Sequence, residues 1–175
     1  TLPRFIFSWE QERCEKCAEP LLVRRTERRE REIKSIAYGA FLAVERQGYC
    51  PQHPELPPAR SQQLRRIVAP GSEYAYDVLA RIGVARFLEC RQISEIQIEL
   101  SRSHGLDIPR STIGHLARKF IAYFQIVHRQ SIGVLRADMK IRGGYILHVD
   151  GTCEEGSGVM LVCMDSLSGQ VLESR

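Results

Sequence analysis

Nowhere does the sequence hold eighteen apolar residues in a row, so no stretch of it has the length to cross a bilayer as a helix. The start, Thr-Leu-Pro-Arg-Phe-Ile-Phe, lacks the basic-then-apolar plan of a secretory signal. These absences argue against a membrane partner and point to a cytoplasmic setting, where thiols stay reduced and serve metal binding or packing rather than disulfides. An initial Met is also missing: the chain opens at Thr1 and stops at Arg175 inside what reads as an unfinished sheet, so both ends are expected to be cut.

What is present is segmented. The formal net charge of the 175 residues is +4, unevenly spread. Residues 1–70 hold thirteen Lys and Arg against nine Asp and Glu, residues 71–142 eleven against seven, and residues 143–175 one against five. A basic part able to hold a polyanion, joined to an acidic part able to hold cations, fits nucleic-acid chemistry, although +4 alone also describes an ordinary soluble surface. The shifts of composition argue for several small units.

Near the N-terminus, Cys14-Glu-Lys-Cys17 is answered by Cys50-Pro-Gln-His53. Two thiolates on one tight knuckle and a Cys/His pair on another supply the four ligands of a tetrahedral structural Zn²⁺ site. The alternative is four ordinary side chains. A unit of roughly fifty residues generally needs such a staple to stay folded. The thirty-two residues between the knuckles suit a β-hairpin insert, with Leu21–Arg25 and Arg29–Ile33 leading to Gly39 and Ala40–Arg46 returning to Cys50. Residues 1–58 thus read as a zinc-ribbon-like domain. Arg24, Arg25, Arg28, Arg29, Arg31 and Lys34 crowd the hairpin, interleaved with Glu27, Glu30 and Glu32. They suit a solvated, cross-paired hairpin as well as a DNA-contacting one. Cys90, Cys153 and Cys163 lack paired spacing and read as small core residues. Pro51, Pro54, Pro57 and Pro58 read as a stiff linker, and Ala69-Pro-Gly-Ser72 as a second boundary.

Beyond Ser72 the pattern turns helical. Val78, Leu79, Ile82 and Ala85 predict a helix from about Glu73 to Leu88. Ser94 with Gln97 predicts a capping box and Ile93 with Ile98 a hydrophobic staple, opening a second helix that stops at Gly105. The third is the clearest, with Ile113, Leu116, Ala117, Phe120, Ile121 and Phe124 on one stripe and Arg110, Ser111, Thr112, His115, Arg118 and Lys119 on the other face. A short helix, a Gly-containing turn and a longer helix that is polar and basic at its start describe a helix-turn-helix over residues 70–128, whose second helix would enter the major groove of double-stranded DNA. A plain three-helix bundle with a solvated face is the alternative. His104 and His128 read as surface residues, and residues 129–142 as an amphipathic connector helix.

Gly144-Tyr-Ile-Leu-His-Val-Asp150-Gly-Thr152 then reads as a strand ending at Asp150 before an Asp-Gly turn, with Val159–Met164 and Gln170–Glu173 completing an antiparallel meander. Asp150 is either a turn former or a catalytic carboxylate. The Asp-Gly-Thr sequence after an apolar strand is similar to that of haloacid-dehalogenase phosphatases, but the position of their nucleophile is His148 here, which argues against that chemistry. Glu154, Glu155 and Asp165 are the acidic residues that could assist Asp150 in a metal site.

The succession of knuckle pair, basic hairpin, helix-turn-helix, connector and Gly-Gly-Tyr-Ile-Leu-His-Val-Asp-Gly-Thr resembles the N-terminal half of prokaryotic insertion-sequence transposases of the DDE type, especially those with a zinc ribbon ahead of a helix-turn-helix. The resemblance covers nearly the whole chain and departs from relatives with four cysteines at His53. It implies an α+β multidomain protein whose residues 143–175 begin a ribonuclease-H-like α/β domain, with Asp150 as the first of three carboxylates that hold two Mg²⁺ ions. It also implies binding to transposon ends, a possible homo-oligomer and DNA transposition, with the chain itself catalytically incomplete. A non-catalytic DNA-binding regulator is the alternative.

Overall fold

The computed structural model describes residues 2–23, 29–152 and 160–174. They form a mixed α+β chain of four α-helices and three small sheets, divided into two compact units, Thr1–Ile121 and Ala122–Arg175.

The first unit starts from a hairpin. Strands β3 (Arg29–Ser35) and β4 (Gly39–Glu45) pair antiparallel about a short turn, which Gly39 closes at a φ of +67° that other residues seldom adopt. Strand β1 (Arg4–Phe7) lies parallel to β4, giving the order β1-β4-β3. Because side chains alternate along a strand, Ile33, Phe41 and Ala43 fall on one face and are buried. That face is covered by α1 (Gln62–Ile67) and the segment after it: Phe7, Ile33, Phe41, Ala43, Leu64, Val68 and Ala75 form one cluster. Lys34 donates its backbone N–H to the Glu73 carbonyl at 2.8 Å and accepts from Ala75 N–H at 2.9 Å. Residues 59–69, expected to lie between two domains, and residues 70–75, expected to open the helix-turn-helix domain, thus supply Leu64, Val68 and Ala75 to the core of the β unit. Proline and glycine steer the chain there without taking Leu64, Val68 and Ala75 off the sheet.

Two further strands, β2 (Leu22–Val23) and β5 (Gly48–Tyr49), make a separate antiparallel pair. Arg24, Arg25, Glu27 and Arg28 lie outside the described residues.

Helix α2 (Tyr76–Gly83) runs into a single π-helical turn, Val84–Leu88. The Asp77 carboxylate ties its start to the hairpin, accepting from Ser35 Oγ at 2.7 Å and Ala37 N–H at 3.0 Å. Helix α3 (Ile93–His104) begins earlier than a cap at Ser94 requires. Its cap is Gln92, whose backbone N–H donates to Glu95 at 2.8 Å. Ile98 is half exposed, whereas Ile96 and Leu100 are buried, so the alternating apolar run has one member pointing out, as a helix requires. Gly105 ends α3 at φ +63°.

Helix α4 (Arg110–Ile141) is a single helix of 32 residues, roughly 48 Å long at 1.5 Å per residue. The expected recognition helix and the expected connector at 129–142 are thus one element. Ile113, Leu116 and Ala117 are buried, as are Val78, Ile82, Ala85, Leu106 and Ile108. A Cβ on Gly83 would fall within the Phe120 ring, so α2 and α4 meet at backbone-to-ring distance.

In the second unit, β6 (Leu147–Thr152), β7 (Met160–Asp165) and β8 (Gln170–Ser174) form an antiparallel meander in that order. Asp150 pairs with Val162 and Thr152 with Met160. The strand therefore continues past the Asp-Gly pair, and Asp150 lies within it instead of at its tip.

Candidate metal centre and nucleic-acid interface

The small β2/β5 pair sets the two knuckles side by side. Leu22 pairs with Tyr49, a few residues after Cys17 and immediately before Cys50. A bridge between Arg13 and Pro20 closes the first knuckle, and one between Gly48 and Ala59 brackets the second. Within the first, Cys14 N–H donates to Glu19 O at 2.8 Å and Ala18 N–H to Cys14 O at 2.9 Å. Ala18 takes a φ of +59° there, unusual for a residue with a Cβ. Trp9 packs its ring on Gly48, where a Cβ would meet Trp9 Cε2 at 2.7 Å.

Cys14, Cys17, Cys50 and His53 converge, their ligand atoms all within 4.8 Å of one another, as a group that could hold a metal ion. Cys14 Sγ is 3.6 Å and Cys50 Sγ 3.7 Å from His53 Nδ1, and Cys17 Sγ is 3.6 Å from Cys50 Sγ. A disulfide needs about 2.05 Å. A tetrahedron with metal–sulfur bonds of about 2.3 Å and metal–nitrogen bonds of about 2.0–2.1 Å has S···S edges near about 3.8 Å and S···N edges near about 3.6 Å. The spacing and the ligand chemistry are compatible with structural zinc. Cys14 and Cys50 are buried, so a bound ion would be closed off from solvent on that side.

The local backbone prepares the site. N–H groups of Cys17 and, next, Lys16 point at Cys14 and hold its thiol down at about 6. Cys17 goes the other way: the Glu19 N–H favours its thiolate, but burial and the neighbouring Cys50 and Cys14 outweigh it and raise the thiol. Lys16 and Glu55 bridge the knuckles at 2.8 Å on the exposed rim, where an ion pair adds little.

Of the expected DNA-facing residues, Arg110, Ser111, His115 and Arg118 are exposed, and Thr112 and Lys119 half-buried, opposite the stripe of Ile113, Leu116 and Ala117. No acidic side chain occupies the first turn of α4. Gln97 joins the two helices across the turn, donating to Ile108 O at 2.9 Å and accepting from Arg110 Nε at 3.0 Å. That role of Gln97 had no signal in the sequence beyond its place near the turn.

Asp150 is exposed, and its Oδ1 accepts from the adjacent Gly151 N–H at 2.9 Å. Among the described residues, no group of three or more Asp, Glu, His or Cys gathers around it. Glu154, Glu155 and Cys153 lie outside the described residues. Asp165 is wholly buried and already engaged: Ser168 Oγ at 2.6 Å, Leu167 N–H at 3.1 Å, Ile146 N–H at 3.4 Å and Arg142 Nη1 at 3.3 Å all donate to it. The Ser168 hydroxyl leads in holding its carboxyl below the usual range. Asp150 faces the side of its partner Val162, while Asp165 lies three residues on, on the opposite face and roughly 10 Å along the strand. Asp165 is a turn anchor and not a partner for Asp150.

No family model matches the chain, and neither a curated protein nor a solved structure matches it. No helix of the described residues is long and apolar enough to cross a membrane. Three smaller expectations are corrected. Cys90 is exposed at φ +54°, so it is not a core residue. Cys163 is half-buried. His128 is not a free surface residue, because its Nε2 donates to Leu172 O at 3.2 Å.

Proposed function

We propose that this chain binds duplex DNA through the start of α4, with zinc as the structural ion at Cys14, Cys17, Cys50 and His53, as the recognition part of a DDE-type transposase. The observation that carries the reading is the two-sided helix. Arg110, Ser111, Thr112, His115, Arg118 and Lys119 lie opposite a buried stripe, at the N-terminus of a helix that follows a Gly-ended α3. Backbone N–H groups at that end favour phosphate, and side chains of these types read phosphates and base edges in the major groove. The double change Arg118→Ala, Lys119→Ala tests it. Affinity for a labelled duplex should fall, and the slope of log K against log salt should shrink by about one for each phosphate that is no longer neutralised. Unchanged affinity and slope would make this face plain solvent.

Three thiolates and an imidazole favour zinc over the hard cations, which prefer oxygen. Metal analysis should return about one zinc per chain, absent from Cys17→Ser.

On the transposase reading Asp150 is the first carboxylate of a two-Mg²⁺ centre that would cleave and rejoin strands. Two cations about 3.5–4 Å apart require several carboxylates to offset their repulsion. The isolation of Asp150 among the described residues favours a second reading for these 175 residues, a DNA-binding regulator without nuclease activity. Both readings expect DNA binding without cleavage by this chain. Nicking of supercoiled DNA with Mg²⁺ or Mn²⁺, abolished by Asp150→Asn, would overturn that expectation.

A further inference from the structure

Beside the hairpin of the first unit, away from the start of α4 in sequence, a cleft of about 100 Å³ has Arg31, Glu45, Arg60 and Arg65 in its lining, together with the apolar Leu64 and Val68. Three arginines thus share the lining with one carboxylate. Arg31 is the fixed member: half-buried on β3, it donates from Nη1 to Ser72 O at 2.8 Å and to Ala69 O at 3.5 Å. Those neutral carbonyls hold it in place without cancelling its charge. Burial disfavours its cationic form first, Glu45 only partly opposes this, and the like charge of Arg60 adds to it. Among the described residues the guanidinium groups of Arg60 and Arg65 have no hydrogen-bond acceptor or ion-pair partner, although both residues line the same cleft. Three arginines with a single carboxylate among them leave an excess of like charge whose cost a bound anion recovers, and guanidinium groups match the oxygens of phosphate in pairs. The space equals about three water volumes of roughly 30 Å³ each, enough for a phosphate group and too little for a nucleoside.

We infer that the Arg31–Arg60–Arg65 cleft is a phosphate-binding site that takes a backbone phosphate of the bound nucleic acid, so that the β unit grips the same duplex as α4. This rests on the DNA-binding reading above. It gives α1 and the hairpin a task that the knuckles do not explain.

The test uses the full metal-loaded chain and its Arg60→Ala, Arg65→Ala variant, with zinc content and thermal midpoint as folding controls. Duplex binding measured across a salt series should lose about one from its log–log slope, which is about eight-fold in affinity at 0.1 M salt, with no change in sequence preference. Glu45→Gln should move affinity the other way, an effect that loss of folding cannot mimic. In a parallel arm, inorganic phosphate is titrated into wild type and variant by calorimetry. Saturable phosphate binding abolished in the variant, with the duplex slope unchanged, would keep a phosphate site and overturn its nucleic-acid source. If the Arg118→Ala, Lys119→Ala protein loses affinity while the cleft variant changes neither slope nor phosphate binding, the cleft is not a site and the α4 reading stands. If neither variant weakens duplex binding, the DNA reading itself falls.

Discussion

At the scale of single residues, the first knuckle turns on Ala18, whose N–H donates to Cys14 O at 2.9 Å. The cysteine and histidine spacing predicted the cluster because tight turns allow few ways for such pairs to converge. Nothing in the sequence marked Ala18 for a φ of +59°. That conformation brings Cβ too near the carbonyl oxygen, at a cost of roughly 1–2 kcal/mol, and glycine avoids it while losing more chain entropy. Ala18→Gly is therefore expected to raise stability by about 0.5–1 kcal/mol with the metal stoichiometry unchanged, read from urea unfolding of both proteins. The Cys14 thiol provides a pH test. Its folded value, about 6, lies below the ordinary 9.0, so its thiolate stabilises the fold fully above about pH 9 and loses that contribution as pH falls through about 6. In metal-free protein, ultraviolet thiolate absorbance should show one group titrating close to pH 6, absent in Cys14→Ser. Titration of every thiol in the ordinary range would remove the backbone argument.

At the scale of elements, periodicity located the helices better than local capping located their ends. The Ser94 box failed because Gln92 and Glu95 form a competing cap just ahead of it, with Ile93 already helical. For α1 the cap is assembled from afar. Ser61 Oγ accepts from Leu64 N–H at 3.3 Å, while Glu10, fifty-one residues earlier, accepts from Gln62 N–H at 2.7 Å, Gln63 N–H at 2.9 Å and Ser61 Oγ at 3.0 Å. The Gln62 and Gln63 N–H groups lower the Glu10 carboxyl, so this cap contributes at neutral pH and is lost on acidification through that lowered value. Ser61→Ala should cost about 1 kcal/mol. Gly83→Ala should also destabilise, by about 1–3 kcal/mol, since a methyl must displace the Phe120 ring in a packed interior. A neutral Gly83→Ala in thermal unfolding would mean that α2 and α4 do not meet closely.

At the scale of the whole molecule, the β unit holds two clusters of different kinds, an apolar one and the Cys14, Cys17, Cys50 and His53 group that could hold a metal ion. The knuckle region has few buried apolar side chains of its own, and for a site of this kind the free energy of metal binding is free energy of folding. A strong chelator should lower the unfolding midpoint of the chain, and Leu64→Ala should independently destabilise it by about 2–5 kcal/mol. If chelation left the midpoint untouched, the cluster would be ornamental to stability. In the second unit, Tyr145, Ile146, Leu147 and Val149 are each about half exposed, although the meander itself forms as expected.

Spacing and periodicity within a few tens of residues were enough to predict the Cys14, Cys17, Cys50 and His53 cluster, the hairpin between the knuckles, three helical stretches and the order of the meander. Tertiary structure decided the rest. The parallel pairing of β1 with β4, the burial of Leu64, Val68 and Ala75 beneath the hairpin, the Glu10 cap and the arginine cleft all join residues far apart in the sequence, and sequence patterns hold no record of which distant faces cover one another. The fusion of the expected recognition helix and the expected connector into α4, and the continuation of β6 past Asp150, were decided the same way. Residue propensity permits a break at Arg129 and a turn at Asp150-Gly151, but an uninterrupted helix and a partner strand reaching Met160 satisfy the backbone hydrogen bonds that either break would leave open.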